Sequence, residues 1–362
     1  MTTSLTVVIP TYRRPVTLRR AIASVVRQRS GARVSVYDNG ADGETRQVVE
    51  EFTRLGHAVH YHAHARNIGA NANFVYALDH IETEFFAVLS DDDLLLPGGL
   101  QRAIDAFTAF PQALFVASPV LLVDPTGRVL RVVGAWPPGL YEAPHGLLEL
   151  AGREHFIWTG TVFRRAALEL AGTLDPETGL LSDLDFLLRV ASRGAFAVVE
   201  EPGGIFAWHP SSSSSLPKFD QFWPAWGRIA VKLRADESLP ERVRVEAAER
   251  FEARLPGKLV LVGLFSSSRG MIADAQAAAD LLAQRYRRAL RATLVRVVAW
   301  IAGRSPTVRK GLAQLADAVR WPSRRRMRAV QARFDNEFRE LFDASQPQSV
   351  PREDRRRKDS AA

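Results

Sequence analysis

Hydrophobic and polar positions along the first hundred residues change period in a regular order. Leu5 to Ile9 is a short β-branched run, broken by Pro10-Thr11-Tyr12-Arg13-Arg14. From Pro15 the apolar residues Leu18, Ile22, Val25 and Val26 fall on one helical face, and proline suits a first helical turn. Arg33 to Tyr37 reads as a second strand ended by the turn Asp38-Asn39-Gly40, Glu44 to Leu55 as an amphipathic helix, and Ala58 to His62 as a third strand. Asn67-Ile68-Gly69-Ala70-Asn71 feeds a helix through Leu78, and Phe85 to Leu89 is an uninterrupted apolar run. Such a run fits a strand buried on both faces, so these βα units predict right-handed crossovers and a parallel sheet covered by helices. Beyond it the alternation loosens. Leu114 to Val123, Pro125-Thr126-Gly127 and Arg128 to Val133 predict a hairpin, hence a mixed sheet. Trp158 to Phe163, Ala197 to Glu200 and Gly204 to Trp208 read as strands, and Ser182 to Arg193 as a helix.

With 362 residues and 46% hydrophobic content, the chain has enough material for a full core and more than one domain. The absence of cysteine excludes disulfides and thiolate metal sites. Neither a basic, apolar leader nor an apolar run of roughly 18 residues is present, so the expected location is cytoplasmic. Net charge is +8 overall but unevenly spread: residues 1–220 hold 19 Lys and Arg against 24 Asp and Glu, and residues 221–362 hold 29 against 16. The basic half therefore predicts an anionic partner.

In a parallel sheet ligands gather beyond the carboxyl ends of the strands, where this chain places Thr11, Tyr12, Arg14, Asp38, Asn39, Asn67, Gly69 and Asp91-Asp92-Asp93. Three adjacent carboxylates repel one another; an oxygen-liganded magnesium or manganese ion relieves that cost, and a solvated acidic turn before the helix near Pro97 is the other reading. On that rim Asp38 is placed to hold a base or ribose, Tyr12 to stack and Arg14 to face phosphate. Neither GxGxxG nor GxxxxGK[ST] occurs, which removes dinucleotide and P-loop readings. His60, His62 and His64 alternate on one strand without an acidic or cysteine partner at metal-ligand spacing, and read as an exposed sheet face.

Val-Val-Ile-Pro-Thr-Tyr-Arg-Arg-Pro (7–15), Tyr37-Asp38-Asn39-Gly40, Arg66-Asn67-Ile68-Gly69, Leu89-Ser90-Asp91-Asp92-Asp93 with Pro97, Asp183 with Asp185, and Trp208-His209-Pro210 before a serine run resemble the family 2 glycosyltransferases over roughly residues 4–215. The resemblance implies a GT-A (Rossmann-like) α/β fold, with a mixed sheet and helices on both faces. It also implies inverting transfer from a nucleotide-diphosphate sugar. By position it implies a donor site of Pro10, Thr11, Tyr12, Arg14, Asp38, Asn67, Asp91 and Asp92, a divalent metal (manganese or magnesium) held by Asp92 with Asp93, and Asp183 as the catalytic base; His209 is a candidate for a further contact to that metal or the diphosphate, the other reading being a structural histidine beside Trp208. Two departures stand out: Ser90 occupies a position where many members have Asp, and Ser182 precedes Asp183 where Glu is common. The loops around Trp136–Leu140 and Trp158–Thr161 are where acceptor specificity is expected, with Trp158, Thr159 and Gly160 as acceptor contacts. The five serines Ser211–Ser215 with Lys218 suit a loop closing over phosphate.

The expected organisation is a GT-A domain over 1–219, a basic, mainly helical region over 220–345 and a disordered tail over 346–362. On the helical region Leu290, Leu294, Val297, Val298 and Ile301 share one face, with Trp300 at its edge and arginines around it. Over 284–330 this pattern suits an anionic membrane surface, at the inner face of the plasma membrane, while packing on the core or on another copy in a homo-oligomer is the plainer reading. No recognition motif for nucleic acid accompanies the charge. The function expected is glycan synthesis at the cell envelope, on a glycan or lipid-linked acceptor. The alternatives are a catalytically silent nucleotide-sugar-binding scaffold and a metal-dependent nucleotidyltransferase.

Overall fold

The structure is a computed structural model that describes residues 4–28, 30–209, 219–320, 325 and 327–345. The expectations for Ser211–Ser215 with Lys218, and for the 346–362 tail, lie outside the described residues. In chain order the first part runs β1 (Leu5–Thr11), α1 (Pro15–Val26), β2 (Arg33–Asp38), α2 (Gly43–Arg54), β3 (Val59–Ala63), α3 (Ala70–Asp79), β4 (Phe85–Val88), β5 (Leu94–Leu95) and α4 (Gly99–Ala109). It continues with β6 (Ala113–Ala117), β7 (Val120–Val123), β8 (Val129–Val133), β9 (Gly139–Tyr141), α5 (His145–Gly152), β10 (Thr161–Arg164), α6 (Ala166–Ala171), α7 (Ser182–Arg193), β11 (Ala195–Val198) and β12 (Gly204–Ala207). Then come α8 (Phe219–Ala235), α9 (Glu241–Ala253), α10 (Leu255–Ser268), α11 (Ile272–Gln284), α12 (Ala289–Arg304), α13 (Pro306–Arg320), α14 (Arg328–Glu337) and α15 (Arg339–Ser345).

The main sheet has the order β3-β2-β1-β4-β10-β6-β11-β9, parallel from β3 to β4, with β10 inserted antiparallel between β4 and β6. The parallel half and the mixed sheet follow the expectation. Continuous apolar runs are used because successive residues serve opposite faces. Val7, Ile9, Phe85 and Ala87 enter one core with α1, α2 and α4, while Val8, Phe86 and Val88 enter the other with α3, α5 and α7.

A smaller sheet, β5-β12-β7-β8, stands beside it. The predicted hairpin is present between β7 and β8, closed by Gly127 N–H donating to the Asp124 carbonyl at 2.9 Å. Its first strand is shorter than expected, since the chain breaks at Ser118-Pro119 and β6 and β7 belong to different sheets. The Trp158–Phe163 stretch also divides: Trp158–Gly160 is one 3-10 turn, and the strand begins at Thr161. Because β5 follows Asp93 directly and β12 precedes Trp208-His209, the antiparallel pairing of β5 with β12 draws the acidic run and His209 together.

The expected boundary at 219/220 does not divide the packing. Trp226 of α8 and Phe251 of α9 stack at 5.2 Å within the same core as α7. Helices α14 and α15 complete the small sheet, where Phe334, Phe338 and Phe342 pack with Leu94, Leu96, Leu121 and Ile205. Gln331 fixes the register by accepting from Val129 N–H at 2.8 Å and donating to the Gly127 carbonyl at 3.1 Å. Helices α10 to α13 form a bundle built on small contacts such as Ala278, Ala292 and Ala299.

Candidate active site

The rim of the parallel half is assembled from four strand ends. At the end of β1, Thr11 Oγ1 donates to Asp91 Oδ2 at 2.7 Å. Arg14 Nη1 donates to Asp91 Oδ1 and to Asp92 Oδ2, each at 3.1 Å. Between them Arg13 has φ 53°, a left-handed conformation that costs a non-glycine residue about 1–2 kcal/mol. Tyr12, 39% exposed, lays its ring over Gly40, where a Cβ would approach it to 2.8 Å. That close approach requires glycine.

Asp38 is fully buried at the end of β2. It accepts from Gly40 N–H at 3.0 Å, Asp42 N–H at 2.8 Å and Tyr61 O–H at 2.7 Å. It braces the 38–42 turn, in which Ala41 has φ 49°. These bonds give Asp38 a supporting role in the loop after β2. Asn39 Nδ2 donates to Asn67 Oδ1 at 3.0 Å, and Ile68 N–H donates to Asn39 Oδ1 at 2.9 Å, joining the loops after β2 and β3. Asn67 stays exposed on the rim, and Pro10 lies buried within β1 beside Tyr37.

The three aspartates have separate surroundings. Asp93 is buried, accepting from Thr159 Oγ1 on one oxygen and from Ala207 N–H, at 3.0 Å, on the other. Burial and the neighbouring Asp92 hold its carboxyl well above the usual range. Through these two bonds Asp93 ties the end of β4, the 158–160 turn and β12 together. Asp91 is also buried and raised, chiefly by burial and then by Asp92. Asp92 is partly exposed, its side chain 21% accessible and its Oδ2 3.4 Å from His209 Nε2.

Asp183 sits in the first turn of α7, accepting from Leu184 N–H at 2.7 Å. Burial pushes its carboxyl up to about 6, against the opposing pull of backbone N–H groups. Asp185, on the other side of the helix, pairs with Arg189 at 2.8 Å and Lys232 at 2.7 Å. A cavity of about 460 Å³ between α7 and α8 is lined by this paired set and by the Arg193–Asp236 pair, so it reads as a salt-bridged seam.

Trp158 and Thr159 join the two carboxylate groups. Thr159 grips Asp93, while the Trp158 ring packs edge-on to Phe186, one turn along α7 from Asp183, at 5.3 Å. Trp158, Thr159 and Gly160 are all buried. A Cβ at Gly160 would lie 2.6 Å from the Ser118 carbonyl oxygen. The turn forms an internal bridge between the elements that carry Asp93 and Asp183. The bonding of Thr159 to Asp93 escaped the sequence reading, because it joins residues 66 positions apart.

Among the described residues, no group of three acidic or histidine side chains is arranged to hold a metal ion. The Asp92–His209 pair still offers one carboxylate and one imidazole side by side, both partly exposed. That set fits a magnesium or manganese ion whose remaining positions go to substrate phosphate and water. His60 is exposed, while His62 stacks on Tyr76 at 4.8 Å and His64 Nε2 lies 3.0 Å from Asn73 Oδ1, so part of the face expected to be open is covered by α3.

Residues 6–170 match the model for Glycosyl transferase family 2. A stretch of 98 residues is 33% identical to the GalNAc(5)-diNAcBac-PP-undecaprenol beta-1,3-glucosyltransferase of Campylobacter jejuni, spanning 26% of this chain and only about a third (32%) of that relative. Among solved structures, S. aureus TarS 1–349 shares the fold with a TM-score of 0.57 at 17% identity, covering 86% of this chain and 92% of that one. The same protein solved with UDP-GlcNAc gives a TM-score of 0.56 at 17% identity over the same shares.

Proposed function

Residues 6–170 belong to glycosyl transferase family 2, carried on a GT-A fold, and from that premise we propose that the chain transfers a sugar, with inversion, from a nucleoside diphosphate to an acceptor hydroxyl. The observation that carries this reading is a pair of carboxylates in unlike surroundings: Asp92, partly exposed beside His209, and Asp183, raised to about 6 by burial. Two such environments divide the work between leaving-group and nucleophile sides.

The acceptor hydroxyl attacks the anomeric carbon on the face opposite the departing diphosphate, and Asp183 takes its proton. A carboxylate near 6 is ionised at neutral pH and is a better proton acceptor than one at an ordinary ~4. Arg14, fixed by Asp91 and Asp92, turns its remaining donors toward the diphosphate. Asp92 and His209 would hold a divalent cation, which when bound would neutralise charge on the leaving diphosphate. Tyr12 forms one wall for the nucleoside, and Asp38 with the Asn39–Asn67 link holds that wall in place.

The TarS structures solved with UDP and with UDP-GlcNAc support a uridine diphosphate sugar as donor. The undecaprenol-linked acceptor in the name of the Campylobacter jejuni relative supports a lipid-linked glycan as acceptor, in envelope glycan synthesis. Incubation with UDP-sugars and manganese tests the reaction class. Release of UDP is expected; release of pyrophosphate would make the protein a nucleotidyltransferase, and release of neither would leave a binding scaffold.

A further inference from the structure

Helix α12 carries two apolar faces of different kinds. Its inward face is made of small residues, Ala292, Val295, Ala299 and Ala302, all buried against the α10–α13 bundle. Gly263 of α10 marks how close the helices come, since a Cβ there would lie 2.5 Å from Val295. The large apolar residues point the other way: Leu290 is 89% exposed, Leu294 50%, Val297 48% and Trp300 59%. Positions 290, 294, 297 and 301 follow i, i+4, i+7 spacing and form one continuous row on the outside. A helix of a water-soluble surface would reverse this arrangement, because burying leucine and tryptophan gains more than burying alanine.

Charge surrounds the row. Residues 284–320 contain nine Lys and Arg and a single acid, Asp317. Arg285 pairs with Glu252 at 3.4 Å and Arg296 with Asp280 at 2.7 Å. Among the described residues Arg287, Arg288 and Arg291 at the start of the helix have no ion pair, and Arg304 lies 4.0 Å over the Trp300 ring at its other end. No helix among the described residues is long and apolar enough to cross a membrane.

We propose that the outward face of α12 lies in the interface of an anionic lipid bilayer, with Leu290, Leu294, Val297 and Ile301 among the acyl chains and the arginines at the headgroups. An apolar row rimmed by cations, with a tryptophan at its border, is the chemistry of an interfacial helix. Each arginine near an anionic surface adds about 1 kcal/mol, which falls with salt. A second copy of the chain is the poorer occupant, since two-fold contact through this row would set one arginine rim against the other. The inference goes beyond the transferase reading and stands on α12 alone. If that reading also holds, a lipid-linked acceptor meets the enzyme at the membrane.

The test is flotation of the full chain with vesicles of phosphatidylcholine alone and of phosphatidylcholine with 30% phosphatidylglycerol, run beside analytical ultracentrifugation without lipid. Expected results are flotation with the anionic vesicles only, loss of more than tenfold in bound fraction for Leu290→Glu with Leu294→Glu, and loss on raising salt to 0.5 M for the wild type. Both positions are exposed, so the thermal melt is expected to stay unchanged and UDP release from soluble donor to equal that of the wild type. Failure to float, equal flotation of the variant, or a wild-type dimer that the variant converts to monomer would each overturn the proposal. Loss of UDP release in the wild type would instead count against the transferase reading and leave the membrane result standing.

Discussion

At the scale of single residues, the account rests on how burial divides six aspartates and one threonine into different tasks. Asp183 and Asp185 look equivalent in sequence, two positions apart at the start of α7. Only the fold separates them, pairing Asp185 with Arg189 and Lys232, whereas no ion pair to Asp183 is formed among the described residues. A base titrating at about 6 predicts that kcat/KM rises with pH through that value and is flat above pH 7, which an initial-rate profile on saturating acceptor checks. The sign for stability is opposite. The folded value of about 6 exceeds the ordinary 3.8, so this carboxyl's contribution is full below about pH 4 and is lost as pH rises to about 6. Asp183→Asn is therefore expected to raise, not lower, Tm at pH 7.5. Thr159 makes the reverse case. Thr159→Val removes the donor to a buried carboxylate and is expected to cost about 2 kcal/mol in urea unfolding, while Thr159→Ser keeps the bond and costs under about 1 kcal/mol. Equal losses for both variants would mean that the methyl group, not the hydroxyl, matters there.

At the scale of elements, legibility followed the strength of the local signal. Strands β1 to β4 were readable because burial on both faces demands unbroken apolar runs, and the β7–β8 hairpin because Asp124 to Gly127 is a strong turn. Strand β9 and helix α5 were not readable, since three and eight residues amid Pro and Gly carry too few periods. Helix α12 exposes a different limit. Periodicity assigned Leu290, Leu294, Val297 and Ile301 to one face, but a helix apolar on two sides does not reveal which side meets the core. Phe334, Phe338 and Phe342, spaced by four, were a signal for docking that the sequence reading passed over. They seat α14 and α15 on the sheet whose β5–β12 pair sets Asp92 beside His209. Phe334→Ala, fully buried, is expected to cost about 3–5 kcal/mol and to weaken donor binding, although it lies outside the 6–170 match. Calorimetry of UDP binding at a temperature where the variant stays folded checks the second effect; unchanged affinity would detach these helices from the site.

For the whole molecule, part of the uneven charge found in the sequence now has a place: Asp38, Asp91, Asp92 and Asp93 lie at the strand ends of the parallel half, and arginines surround an outward apolar helix. The candidate site was legible to the extent that it lies at strand ends, where Thr11, Arg14, Asp91 and Asp92 come together. It was not legible where long-range pairing decides, as for the bonds of Asp38 with Tyr61 and of Asp93 with Thr159. Chelation with EDTA is expected to weaken UDP-sugar binding at least tenfold in the wild type and less than twofold in Asp92→Asn, since that variant has already lost the carboxylate beside His209. The most direct measurement of the central claim compares Asp183→Asn with the wild type for both donor affinity and UDP release. The account predicts an unchanged Kd for the UDP-sugar together with a fall of about 10²–10⁴-fold in turnover, the range of a lost general base. Turnover within threefold of the wild type would contradict it.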